Sequence, residues 1–268
     1  MKYKSKINKL VNTKYGFMLC NKHDKYVGRA LIKYGEYSED EVTLFDTLCQ
    51  KGDTVIEVGS NLGAHTLPLS KIVGPNGVVI AFEPQRIIFQ NLCTNIALNS
   101  LENVYCFQKA ASSKKGKLFL PQIDYKNEGN FGGVTLQEEG VEEVEVVKLD
   151  KFIQVESLKL IKIDAESMEL DVLKGSKKLI KKFKPYMFVE NDRFDKHKDL
   201  VTYIDSLDYD MYWQMAPLYN KDNFFNDTEN IYGKLLSANM LCIPKSLKVK
   251  LTNFGKVDIK NKHPFDVK

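Results

Sequence analysis

Residues 53–85 read DTVIEVGSNLGAHTLPLSKIVGPNGVVIAFEPQ. Thr54–Val58 is a β-branched run, apolar at most positions, which suits a buried central strand. A turn with glycine at both ends, Gly59-Ser60-Asn61-Leu62-Gly63, follows it. His65–Ile72 then reads as a helix, with Pro68 tolerated near its start. After Gly74-Pro75-Asn76-Gly77, Val78–Phe82 forms a second strand that stops at Glu83-Pro84.

Outward from this stretch the same rhythm continues. Upstream, Ser38 and Glu41 have capping-box spacing, and Val42, Leu44, Phe45 and Leu48 give that helix an apolar face. Downstream, Ile87–Leu98 reads as a helix and Val104–Phe107 as a third strand. Helix–β–α–β–α–β at short spacing predicts an α/β fold with a mostly parallel, doubly wound sheet and helices on both faces. The expected domain spans 38–244. Residues 109–140 carry Pro121 and five glycines, so they read as an excursion above the sheet edge, with a strand at Lys117–Leu120. Val144–Leu149, Leu160–Ile163, Met187–Val189, Tyr209–Gln214 and Met240–Ile243 are further strands, and Pro244 ends the last. Met168–Phe183 reads as one helix and Asp199–Leu207 as a shorter one; 220–230 reads as a loop. Residues 1–37 form a basic extension expected to pack over the ligand side, with a hairpin or strand pair in Lys14–Asp24. Residues 245–268 form a lysine-rich extension.

Composition narrows the function. Charged residues make up 28% and the formal net charge is +4, too weak to mark a nucleic-acid binder. No apolar run approaches the roughly 18 residues of a membrane span, and the start lacks the apolar core of a signal peptide. Cys20, Cys49, Cys93, Cys106 and Cys242 form no CxxC pair, which argues against a disulfide framework or a thiolate zinc site. A reducing, cytoplasmic setting is the expectation. Oligomeric state is not legible.

In an open α/β sheet, ligands bind beyond the carboxyl ends of the strands. Glu83, Asp164 and Glu190 terminate strands, and Glu57 lies at the end of the first. The turn is not GxGxxG, which weakens a pyrophosphate seat and suits a nucleoside with an amino-acid tail. Glu83 lies 20 residues after Gly63, where a carboxylate can accept both hydroxyls of a ribose.

DTVIEVGSNLGAHTLPLS, VVIAFEPQ, IKIDAESMELDVLKGSKKLI and PYMFVEND, in that order, resemble the FkbM family of S-adenosylmethionine-dependent methyltransferases, over roughly Ser38 to Pro244. The resemblance implies a Rossmann-like class I methyltransferase fold with a seven-stranded sheet. It implies S-adenosyl-L-methionine as cofactor and methyl transfer to oxygen on a sugar, glycan or related small metabolite. Glu57 stands where the family usually has Asp and would orient the cofactor's amino-acid end. Gly59, Asn61 and Gly63 match the family loop, and Ser60 replaces its Ala. Glu83, followed by Pro84, matches the ribose acid, and Lys109-Ala110 the segment running past the adenine. Asp164, Glu166 and Glu169 match the acids of the next motif, whereas Ser167 replaces a Gly.

A sugar hydroxyl is a poor nucleophile, so a base beside it helps. Asp164 is the first choice and Glu166 the second; Glu190 and Asn191 are expected to hold acceptor hydroxyls. His65 would lie near the cofactor carboxylate, and Tyr34 and Glu36 would fold over the cofactor. The 121–140 excursion and the aromatics Tyr212, Trp213, Tyr219, Phe224 and Phe225 are the expected acceptor walls. Asp164, Glu166 and Glu190 are oxygen donors of the kind that hold a divalent ion, but no paired-aspartate motif marks a metal, and none is assigned. Three rival readings are a nicotinamide-dependent oxidoreductase, a nucleic-acid methyltransferase and a non-catalytic glycan- or partner-binding scaffold. The missing GxGxxG counts against the first. The missing (Asp/Asn/Ser)-Pro-Pro-(Tyr/Phe) motif counts against the second. The retained Glu83 counts against the third.

Overall fold

The computed structural model describes residues 5–260 and 263–265; Lys2, Lys4, Lys262 and Lys268, part of the two basic extensions, lie outside them. In chain order the chain forms β1 (Asn8–Thr13), β2 (Gly16–Asn21), α1 (Val27–Tyr34), α2 (Glu39–Leu48), β3 (Thr54–Val58), α3 (Thr66–Val73), β4 (Val78–Phe82), α4 (Arg86–Leu98) and β5 (Val104–Phe107). It continues with β6 (Ala110–Ala111), β7 (Gly116–Leu120), β8 (Glu142–Val147), α5 (Leu149–Phe152), β9 (Leu160–Ile163), α6 (Glu169–Gly175), α7 (Lys177–Phe183), β10 (Tyr186–Glu190), α8 (Phe194–Ser206), β11 (Tyr209–Pro217) and β12 (Leu236–Pro244).

The main sheet has seven strands in the order β11-β12-β10-β9-β3-β4-β5. Only β12 runs against its neighbours. β3 and β9 sit at the centre and are buried at every position. One face packs Ile56, Ile161, Val172, Met187 and Val201 together. The other packs Phe45, Val55, Leu69, Leu160 and Phe188. A three-stranded sheet, β6-β8-β7, stands beside the main one; it is built from the excursion together with β8, so the strand expected over 144–149 runs over Glu142–Val147 and Leu149 opens α5.

Three local expectations fail for identifiable reasons. Ser38 adopts φ 48°, outside the usual N-cap conformation, and makes no side-chain cap, while Glu41 accepts from Ser237 Oγ (2.7 Å) and Asn239 Nδ2 (3.1 Å). The helix expected over 168–183 is two, broken at Ser176. Gly175 lies so close to Ser112 that a Cβ would stand 2.1 Å from its carbonyl oxygen. The freed N–H groups of Lys178 and Leu179 donate to Asp150 instead. Third, the strand pair expected within Lys14–Asp24 begins earlier, at Asn8, and ends at Asn21. β1 and β2 form a hairpin that Asn95 and Asn99 of α4 hold through the backbone of Leu19 and Phe17. At the other end, Trp213 N donates to Gly255 O and Val257 N to Met211 O.

Candidate active site

Four neighbouring strands stop at one level. Val58 pairs with Phe82 on one side and Ile163 on the other, and Ile163 pairs with Val189. Glu83, Gly59, Asp164 and Glu190 therefore emerge side by side along the carboxyl edge. Chain order runs outward from β3 through β4 to β5 in one direction and from β9 to β10 in the other, so this edge is the topological switch point, where an open sheet leaves a crevice.

The turn after β3 is held tightly. Gly59 has φ 79°, and a Cβ there would stand 1.7 Å from the Asp164 carbonyl oxygen; only glycine fits. Gly59 N and Ser60 N both donate to Phe82 O. Asn61, also left-handed at φ 50°, donates its N–H to Glu83 Oε2 over 2.9 Å. Gln85 N donates to Glu83 Oε1 over 2.8 Å. Each Glu83 oxygen thus keeps one lone pair for a ligand hydroxyl. Burial pushes Glu83 up to about 7, against those two backbone donors.

Below the turn lies an ionic core. Lys162, 2% exposed, sits in the centre of the sheet opposite Glu57 in register, and its Nζ donates to Asp164 Oδ2 over 3.2 Å. Burial opposes the charge on Lys162, but Asp164, Glu57 and Glu41 together outweigh it and keep the ammonium protonated. Burial pushes Glu57 and Glu41 up to about 7, with Lys162 pulling the other way. Thr66 Oγ1 donates to Glu57 Oε2 over 2.6 Å. His65 is buried, and burial followed by Lys162 holds it neutral; its Nε2 lies 3.5 Å from Glu41 Oε2.

The loop after β9 is left-handed at two successive residues, Glu166 (φ 48°) and Ser167 (φ 81°). Ser167 therefore occupies a backbone shape that glycine favours. Glu169 braces the loop: its Oε1 accepts from Ala165 N and Ser167 N. Burial, then the charges of Asp164 and Asp192, pushes Glu166 up to about 8, although Arg193 lies 3.1 Å away. Glu190 is raised well above the ordinary carboxylate range, by burial and then by Asp164 and Glu166.

Two adjoining cavities open on this edge. The smaller, about 460 Å³, is a mainly apolar slot between Phe82, Ala110, Val134, Leu136 and Met168, with Glu83, Pro84 and Lys109 at its rim. The larger, about 1090 Å³, is bounded by Ser60, Asn61, His65, Lys162, Glu190 and Arg193. Gly59, Glu83, Gly132, Asp164 and Glu166 line both.

The Methyltransferase FkbM domain family matches residues 57–211, more than half of the chain. This chain belongs to that family. A curated fungal protein, Methyltransferase 1 of Beauveria bassiana (strain ARSEF 2860), is 29% identical to this FkbM domain over 143 residues. That match covers 45% of this chain and 57% of the relative, so the chain spans little more than half of the relative's length. Similar solved structures include the methyltransferase FkbM of Methylobacillus flagellatus KT, with 17% identity, TM-score 0.49, and coverage of 74% of this chain and 47% of that one. Another is a SAM-dependent O-methyltransferase of Thermotoga maritima, with 12% identity, TM-score 0.45, and coverage of 77% and 64%.

Not every residue expected at the site of this FkbM domain reaches it. Tyr34 and Glu36 line a separate cavity of about 560 Å³. Tyr34 Oη donates to Glu229 O (2.8 Å), and Glu36 accepts from Asn220 Nδ2 (2.8 Å) and Phe224 N (3.0 Å). Both residues organise the 219–232 loop. Glu57 and Gly63 lie behind the walls, Gly63 against Leu92 and Leu67. Asn191 points away to His197 Nδ1 (2.8 Å). Of the segments expected as acceptor walls, the excursion lines the larger cavity through Asn130, Gly132 and Gly133. The aromatics do not: Trp213 stacks on His197, Tyr212 is core, Tyr219 lies against Tyr34, and Phe224 and Phe225 pack over Gly35. Sequence reasoning missed Lys162 and Arg193. A lysine inside the apolar run LIKI was the available signal for the first; Arg193, just beyond the acidic strand end EN, gave none of comparable strength.

Proposed function

We propose that this domain is an S-adenosyl-L-methionine-dependent O-methyltransferase acting on a hydroxyl of a sugar, glycan or related small metabolite. The observation that carries the reading is the shared edge of the two cavities. There the Gly59 turn and Glu83 stand next to one another, with an apolar slot on one side and a carboxylate-lined space on the other. The residues fit a nucleoside. Glu83 offers two oxygens, Ala110 and Val134 offer apolar walls, and the Gly59 backbone admits close approach.

When bound, the cofactor supplies a methyl group on a sulfonium sulfur. Glu83 holds the ribose hydroxyls by charge-assisted hydrogen bonds. Carboxylates lining both cavities suit a ligand with a positive sulfonium and ammonium. Asp164 faces both cavities and, fixed by Lys162, takes the proton of the acceptor hydroxyl as oxygen attacks. The rigid strand ends supply alignment, which is where much of the rate of a displacement originates. Glu166 and Glu190 border the acceptor side. That acidic lining repels phosphate and favours neutral or cationic acceptors over nucleic acid. Five free cysteines suit a reducing, cytoplasmic compartment.

The test is transfer of a labelled methyl group from S-adenosyl-L-methionine to fractionated glycans and metabolites of the host. Label that is released by base from an ester, or that resides on nitrogen, rejects the O-methyl ether reading. Label in an ether on a hydroxylated acceptor supports it.

A further inference from the structure

Glu190 has no task in the reading above beyond bordering the acceptor space, and its surroundings are costly. The residue is partly buried, but its Oε2 is sealed from solvent and no donor reaches that atom. A buried carboxylate oxygen without a partner is expensive, and native structures rarely leave one. The nearby cations are already engaged. Lys162 lies 3.2 Å from Asp164, and Arg193 lies 3.1 Å from Glu166 and 3.3 Å from Asp192. Lys162 is also shared with Glu57 and Glu41, so Asp164, Glu166, Glu190 and Asp192 outnumber the cations that face them.

One oxygen from each of Asp164, Glu166 and Glu190 lies within 4.8 Å of the other two. Oxygens that share one ion at about 2.3–2.6 Å can be no more than about 5 Å apart. All three residues line the larger cavity. We propose that Asp164, Glu166 and Glu190 bind one hard divalent cation of the magnesium, manganese or calcium class at the acceptor end of that cavity. An all-oxygen donor set selects such ions over zinc. Two positive charges from the ion would offset the mutual repulsion of these carboxylates and give Glu190 a partner. Three protein donors leave coordination positions for water or for an acceptor hydroxyl. The site does not depend on the methyl donor, so it stands or falls separately from the proposed activity.

Titration of the full chain with Mn2+, followed by electron paramagnetic resonance in the absence of the methyl donor, tests this site. The expected result is one Mn2+ per chain, displaced by excess Mg2+, with affinity at least tenfold weaker in Glu190→Gln. Should Glu190→Gln fail to fold by circular dichroism, Glu166→Gln, at a second member of the trio, carries the same prediction. Absence of Mn2+ binding up to about 1 mM, the weak end of protein cation sites, overturns the proposal. Binding of equal strength in wild type and in the folded variant also overturns it, since the ion then resides elsewhere on the protein.

Discussion

Glu83 accepts the backbone N–H of Asn61 over 2.9 Å, so the turn after one central strand is tied directly to the acid at the end of its neighbour. The bond forms because β3 and β4 are paired in register up to Val58 and Phe82. Turn and acid therefore cannot move independently. Both line the same cavity, so one ligand can reach the two together, which is the geometric content of the proposed adenosyl seat.

The tightest steric constraint is at Gly59. Its missing Cβ leaves room for the Asp164 carbonyl, 1.7 Å from where that atom would stand. A left-handed alanine costs about 1–2 kcal/mol even without a clash. Gly59→Ala is expected to lower the melting temperature by more than the 2–4 °C that about 1 kcal/mol produces in a domain of this size. Differential scanning calorimetry checks this; an unchanged melting temperature would mean that the two strand ends are further apart than described.

Asp164→Asn keeps the shape of the loop while removing the proton acceptor. Cofactor affinity should stay within a few-fold of wild type, whereas turnover should fall by about 10²–10⁴, the usual contribution of a positioned base. Steady-state kinetics on a methylated acceptor, with calorimetric cofactor affinity alongside, separates the two quantities. Wild-type turnover in Asp164→Asn would remove this residue from the mechanism.

Lys162→Met leaves Glu57, Glu41 and Asp164 without their shared buried counter-ion. Breaking a buried charge pair on one side typically costs about 3–5 kcal/mol. Urea unfolding should register a loss of that order at neutral pH. Removing a carboxylate as well, in Lys162→Met with Glu57→Gln, should recover part of it. A double variant no more stable than the single one would contradict the ionic core.

Burial places Glu41, Glu57 and Glu83 near 7 in the folded chain, each above the ordinary value of 4.5. A carboxyl raised in this way contributes stability that is complete below about pH 4.5 and is lost as pH rises through about 7. His65 works in the opposite direction: burial holds its pKa well below 6.5, so its neutral form favours folding more strongly as pH rises towards 6.5. Above about pH 6.5 only the carboxyl effect remains. The melting temperature of the ligand-free protein should therefore fall between about pH 6.5 and 8, with a shallower slope in Glu57→Gln. Thermal melts across that range check it, and a rising melting temperature would contradict the sign.

The sheet was legible because its central strands, TVIEV, VVIAF and LIKI, are short apolar runs separated by helix-sized intervals. Glu83 was legible for the same reason, as an acid standing where such a run stops. Lys162 was not, because its partners are set by register. Glu57 lies opposite it only once β3 and β9 pair, and nothing local to LIKI announces that. Ser38 misled in the converse way: Ser-x-x-Glu is a local pattern, but Glu41 bonds to residues 196 and 198 positions later in the chain. The aromatics of 212–225 were misplaced because composition does not say which face of a strand or loop meets a cavity. Trp213 faces His197 and His263 instead.

The most direct measurement is calorimetric titration of S-adenosyl-L-methionine into wild type and Glu83→Ala. Hydrogen bonds to a charged group contribute about 1.5–3 kcal/mol, so binding to wild type and at least tenfold weaker binding to a folded Glu83→Ala is the predicted result. Equal affinity in the two proteins would contradict the adenosyl seat between the Gly59 turn and Glu83.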